Sequence, residues 1–210
     1  MKSLLNYPNG RPYHINGDKQ ALKKQVKTKK TDYSNRGMTL ESDLNLTNEQ
    51  YLIAKKAVIH KKPIPIQVVN VSYPKRSAAK ITEAYYQKAS TTDYNGIYKG
   101  FYLDFEAKET KNKTSFPLKN FHEHQILHMR ACMEQDGICF IIIRFSTLNR
   151  VFLLPFDKLD LWWKNQKEAL GKKSIPLKSI IEEAHEIFYG LSPRLPYLDA
   201  IDKIIKSKKT

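Results

Sequence analysis

The sequence predicts an α/β protein in which a mixed central β-sheet is flanked by helices and a β-hairpin projects from the body. Three observations carry this. Apolar and polar residues alternate along Phe101–Lys108, the period of a half-buried strand. Ile138 to Phe145 is apolar at both parities, as a strand covered on both faces requires. Between them Phe121, Gln125, His128, Met129 and Cys132 recur at i, i+4, i+7, i+8 and i+11, one face of a helix that would pack on the sheet.

The other elements follow in order. Residues 1–30 hold eight basic side chains and one acid, Asp18, a net charge of +7. With few apolar residues to bury, residues 1–32 are expected as a flexible basic arm ahead of one domain over 33–210. A helix is expected from Arg36, with Leu40, Leu44, Tyr51 and Leu52 inward and a break at Asn45–Asn48. Glu41 falls in its first turn, where the helix dipole favours an anion; the other reading has it face the acids described below. Ala57–His60 and Ile64–Val71 read as strands, the prolines at 63 and 65 marking an edge or exposed ribbon. The chain turns through Tyr73–Lys80 and returns as ITEAYYQ, a hairpin over about 62–88 with Lys75, Arg76 and Lys80 at its tip. Basic residues interleaved with Tyr73, Tyr85 and Tyr86 suit phosphate contact and base stacking, or equally an edge guarded against aggregation.

After the strand that ends near Lys108, a helix is expected from Asn120, with Glu123 completing a capping box. Strands at Ile138–Phe145 and Arg150–Pro155 follow. Helices are then expected over Asp157–Ala169, Pro176–Ile187 and Pro196–Lys206. His122, His124 and His128 do not share a helix face, so they are not read as a metal site.

The chain has 210 residues, enough for one well-buried core, and 41% hydrophobic with 27% charged residues is ordinary for a globular protein. The formal net charge of +15 is not ordinary. It points to a polyanionic partner, and no strongly basic amphipathic helix with exposed aromatics speaks for a membrane. Nucleic acid is the expected partner. No secretory leader is evident and the cysteines are two, Cys132 and Cys139, so reduced thiols and a cytoplasmic, nucleoid-associated location are expected.

The chemistry concentrates in Ser90–Glu109, STTDYNGIYKGFYLDFEAKE. Asp93 precedes a Glu-x-Lys pair, Glu106 and Lys108, by thirteen positions, with an Asn95-Gly96 turn signal between them. Alternation puts Glu106 and Lys108 side by side, and Thr91 with Asp93 on one face of the incoming strand. Two acids and a lysine at a sheet can hold Mg²⁺ beside a phosphodiester. Taken alone, the same spacing is also that of the wet face of a half-buried strand. Gln125 would be a structural amide bonded to neighbouring backbone, or an orienter of water at such a site.

Taken together, RGMTLE, AVIHKKPIP, VNVSYPKR, STTDYNGIYKG, DFEAKETKNKTSFPL and FHEHQI resemble the RecU family of bacterial Holliday junction resolvases, over about Tyr33 to Arg144. The resemblance implies a restriction-endonuclease-like core, a homodimer with a protruding stalk, and Mg²⁺-dependent cutting of four-way DNA junctions, Mn²⁺ being an alternative ion. It places Thr91, Asp93, Glu106 and Gln125 at Mg²⁺ and Lys108 at the transition state, Asp93, Glu106 and Lys108 being catalytic. It assigns Lys75, Arg76, Lys80 and Tyr86 to DNA, and Arg76 also to contacts with the recombinase RecA. A branch-migration helicase is a further expected partner. The alternative is a non-catalytic junction-binding protein that modulates RecA.

Overall fold

The computed structural model describes residues 39–87 and 90–208; the basic arm expected at 1–32 lies outside them. Helix α1 (Leu40–Ile53) starts at Thr39, whose hydroxyl accepts the Ser42 N–H at 3.1 Å. It is one helix, without the expected break at Asn45–Asn48. Thr47 and Asn48 are buried instead: Thr47 Oγ1 accepts the Leu195 N–H at 3.0 Å, and Asn48 Oδ1 accepts the Tyr197 hydroxyl. Polar residues that look like a helix break in sequence are here the acceptors that dock α1 on a distant segment. Leu52, expected inward, is exposed.

The central sheet has six strands in the order β1-β4-β5-β7-β8-β10. These are β1 (Val58–Lys61), β4 (Tyr94–Tyr98), β5 (Phe101–Thr110), β7 (Ile138–Phe145), β8 (Arg150–Pro155) and β10 (His185–Ile187). Among the described residues only the β5–β7 pair is parallel, with Glu106 opposite Ile141, and helix α2 (Glu123–Glu134) makes the return that a parallel pair needs. The sheet is mixed and flanked by helices, as expected.

Both faces of the sheet are covered. Leu103 and Phe105 of β5 with Phe140 and Ile142 of β7 pack on α1 and on α5 (Leu198–Lys208). Ile141, Ile143 and Phe145 point the other way, into a core with Ile126 and Met129 of α2 and Leu159 of α3 (Phe156–Asn165). That two-sided cover is why β7 is apolar at both parities.

Several expectations are corrected. The β4–β5 hairpin turns at Lys99-Gly100, both at positive φ (51° and 83°), and not at Asn95-Gly96, which lies inside β4 opposite Asp104 and Leu103. Gly96 is demanded by β1: a methyl group there would stand 2.1 Å from the Val58 carbonyl oxygen. Thr91 and Asp93 precede β4 and do not belong to a strand. The N-cap of α2 is His122 and not Asn120, with Gln125 Oε1 accepting the His122 N–H at 3.0 Å. Residues 176–187 are a short helix, α4 (Leu177–Glu183), followed by β10, because its last residues pair with Val151–Leu153 at the sheet edge. A short ribbon, β6 (Ser115–Pro117) with β9 (Ser174–Pro176), was not expected at all.

Strands β2 (Ile66–Ser72) and β3 (Lys80–Tyr86) form a separate antiparallel pair, joined through a short helical turn at Arg76–Ala78. Nearly every residue of the pair is exposed.

Candidate functional site

The candidate site lies where the loop 90–93 meets β5. Glu106 projects from β5 on the side opposite Phe105 and is fully buried, so it is not the wet face of a half-buried strand. Its Oε2 accepts the backbone N–H of Asp93 at 3.1 Å. Lys108 Nζ, two residues along the same strand, lies 2.8 Å from Glu106 Oε1. Lys108 thus ion-pairs with the oxygen of Glu106 that does not hold Asp93.

Burial pushes the Glu106 carboxyl up to about 7; the Lys108 charge pulls it down, and the neighbouring Asp93 adds to the rise. A buried carboxylate with a second acid beside it and a cation at its flank is a donor set that fits a divalent ion. The donor set itself carries this fit: two carboxylates held against each other with an ammonium 2.8 Å from one of their oxygens.

A cleft of about 240 Å³ is lined by Thr39, Leu40, Glu41, Asp93, Tyr94, Ala107 and Glu109. Glu41 shares this lining with Asp93 while sitting in the first turn of α1, exposed, with its Oε1 on Lys61 Nζ at 2.5 Å. Glu109, which sequence reasoning passed over, accepts the Leu40 N–H at 2.9 Å and so seats the start of α1 on β5.

The structure thus brings Asp93, Glu106 and Lys108 together. Thr91 makes its described contact with the Thr92 carbonyl, at 3.3 Å. Gln125 is buried, with its Oε1 on the His122 N–H, which is the structural role the sequence allowed it. Lys75 precedes the turn at the hairpin tip, Lys80 opens β3 and Tyr86 ends it, 83% exposed. The Arg76 side chain lies outside the described residues.

A second cluster, also missed in sequence, surrounds Asp104. This carboxylate is fully buried, yet at sequence level it cannot be told from an exposed strand residue. Its Oδ2 meets Lys62 Nζ at 2.9 Å, the Tyr102 hydroxyl at 2.9 Å and His128 Nε2 at 3.1 Å; Oδ1 accepts the Thr92 hydroxyl. Cys132 lies next to His128, their ligand atoms and that of Asp104 all within 4.8 Å of one another. Both cysteines are free. No helix among the described residues is long and apolar enough to cross a membrane.

Comparison with known proteins agrees over nearly the whole chain. The Holliday junction resolvase RecU of Lactiplantibacillus plantarum is 57% identical over 201 residues, 96% of each chain. That of Geobacillus kaustophilus is 56% identical over 200 residues, covering 95% of this chain and 97% of its own. Among solved structures, the Holliday junction resolvase Hjc of Archaeoglobus fulgidus matches with a TM-score of 0.36 and 10% identity, over 66% of this chain and 93% of its own. The family described as Recombination protein U (RecU) matches residues 35–203, and the chain belongs to that family.

Proposed function

We propose that the chain is a Holliday junction resolvase, a divalent-metal-dependent endonuclease that cuts four-way DNA junctions by hydrolysing phosphodiester bonds. The observation that carries the reading is the buried Glu106, fastened to Asp93 through Oε2 and ion-paired with Lys108 through Oε1. The relatives at 53–57% identity, which carry the name Holliday junction resolvase, supply the substrate.

Asp93 and Glu106 hold the ion, which we take to be Mg²⁺ with Mn²⁺ as its substitute. Once bound it supplies a water of lowered pKa and a counter-charge for the phosphate. Glu106 must give up its proton to serve. Lys108 keeps its ammonium beside Glu106, where it neutralises charge that builds on the non-bridging phosphate oxygens. Thr91 adds an oxygen at the edge of the site. Gln125 sits one helical turn before His128 on α2, and His128 reaches Asp104, two residues before Glu106. Because α2 runs back against β5, that spacing favours Gln125 lying over Glu106, where its amide would hold water.

Each site cuts one strand, so symmetric resolution takes two sites related by a two-fold axis, and we assign the chain to a homodimer. The exposed hairpin, with Lys75, Arg76, Lys80 and Tyr86, meets the junction; RecA and a branch-migration helicase are its partner proteins in recombination and repair.

The test is cleavage of a synthetic four-way junction with and without Mg²⁺. Wild type nicks it in a metal-dependent way, whereas Asp93→Ala and Glu106→Ala bind it and leave it intact. A chain that only binds junctions shows no metal-dependent nicks even as wild type, and a nuclease without junction preference cuts linear duplex equally well.

A further inference from the structure

We propose that Lys62 is a positioning residue that fixes the backbone of Asp93 and ties it to the root of the hairpin. The inference rests on the nuclease reading above and concerns how its site is held. Asp93 lies outside any strand, so its carboxylate can be aimed only by anchoring its backbone. Both backbone groups are anchored. Glu106 takes the N–H, and the Lys62 N–H donates to the Asp93 carbonyl at 2.7 Å, one bond beyond the last β1–β4 pair, Lys61 with Tyr94.

The Lys62 side chain then fastens the same loop a second time. Its ammonium donates to Thr92 Oγ1 at 3.1 Å and to the buried Asp104 Oδ2 at 2.9 Å, while Thr92 is itself bonded to Asp104. Lys62 thus grips the residue before Asp93 through its side chain and Asp93 itself through its backbone. It is also the last residue before Pro63 and the ribbon that leads into β2. The hairpin therefore meets Asp93 from both sides, through Lys62 where the chain enters it and through the sequence after β3 where the chain leaves it.

Asp104, His128 and Cys132 suggest a competing reading, a site for a thiophilic ion. The occupancy of Asp104 argues against it. Its Oδ2 already meets an ammonium, a phenol and an imidazole, and its Oδ1 the Thr92 hydroxyl. The cluster is a filled socket for Lys62.

The experiment uses the full chain with Lys62→Met, Lys62→Met/Asp104→Asn and Thr92→Val. Junction affinity is measured in Ca²⁺, single-turnover cleavage of a four-way junction across a Mg²⁺ series, and thermal unfolding with and without Mg²⁺. Lys62→Met is expected to bind the junction within about threefold of wild type and to cut it about 10- to 100-fold more slowly, the scale of a misplacement near 1 Å. The double variant is expected to stay slow, because removing the Asp104 charge does not restore the grip on Thr92. Thr92→Val keeps the side-chain shape and removes the hydroxyl that Lys62 and Asp104 both hold, while leaving Lys62 on Asp104, so its rate falls between wild type and Lys62→Met.

Wild-type cleavage by Lys62→Met overturns the inference. So does full recovery in the double variant, which would reduce Lys62 to a counter-ion for Asp104. If Lys62→Met fails to fold, an unchanged Thr92→Val overturns it instead. Should wild type itself fail to cut, the nuclease reading falls. The Mg²⁺-induced rise in unfolding temperature then still decides the positioning role, and an equal rise in wild type and Thr92→Val counts against it.

Discussion

Glu106 Oε2 accepts the backbone N–H of Asp93 at 3.1 Å across thirteen residues of sequence, so one acid holds the other in place. Burial, with the Asp93 side chain adding to it against the pull of Lys108, raises the Glu106 carboxyl from 4.5 to about 7. A carboxyl whose folded pKa exceeds its unfolded one destabilises the fold once ionised. The cost is absent below about pH 4.5, grows as the pH rises to about 7, and is constant beyond. Over that interval it amounts to roughly 3 kcal/mol. Metal-free Glu106→Gln should therefore unfold at a higher temperature than wild type at pH 8, with the gap closing towards pH 5. A gap independent of pH would mean that Glu106 is not the strained group.

A divalent ion should relieve that strain, since it binds the ionised carboxylate and releases its proton. Wild type should gain about 1.4 kcal/mol when Mg²⁺ stands at ten times its dissociation constant. The gain should shrink between pH 8 and pH 6 and vanish in Asp93→Ala. Calorimetric scans with and without Mg²⁺ test this without reference to cleavage.

The β4–β5 hairpin shows what a sequence discloses and what it hides. Alternation along Phe101–Lys108 is local, and it is enough to set Glu106 beside Lys108. Asn95-Gly96 is also a local signal, but the need for Gly96 comes from β1, more than thirty residues away in the chain. Gly96→Ala forces a methyl to 2.1 Å from the Val58 oxygen, so it should cost about 1–3 kcal/mol or more in urea unfolding. Gly100→Ala, at the actual turn, meets nothing within 4 Å and should cost about 1 kcal/mol for its φ of +83°. The same distinction separates Asp104 from its sequence reading. Asp104 is an acid in an exposed-looking pattern, and what buries it is packing against α2 and Lys62, which no short window contains. The strand β10 hid for a further reason, since three residues give too short a period to tell strand from helix.

Asp43 is another acid whose role is tertiary. It is buried on α1, with Arg194 Nε at 2.5 Å from Oδ1 and an Arg144 nitrogen at 3.7 Å from Oδ2. With the bonds from Thr47 and Asn48 to Leu195 and Tyr197, it clamps α1 to the segment before α5. Asp43→Ala removes the buried anion from two guanidinium groups and should cost about 3 kcal/mol in urea unfolding, the lower end for a broken buried pair because both arginines reach solvent. A loss below about 0.5 kcal/mol, typical of surface substitutions, would show the clamp to be ornamental.

The hairpin tip makes the last prediction, because charge and shape have different salt signatures there. Lys75 and Lys80 flank the turn at Arg76–Ala78 on a ribbon that buries almost nothing of its own. If each neutralises one phosphate, each adds about 0.9 to the slope of log affinity against log salt. Lys75→Ala/Lys80→Ala should therefore weaken junction binding at low salt and flatten that slope by about 2. Tyr86→Ala should weaken binding by about 1–3 kcal/mol, the worth of one stacked base, while leaving the slope unchanged. Fluorescence anisotropy of a labelled four-way junction over a salt series reads both quantities. A double-lysine variant with the wild-type slope would remove the hairpin tip from the DNA.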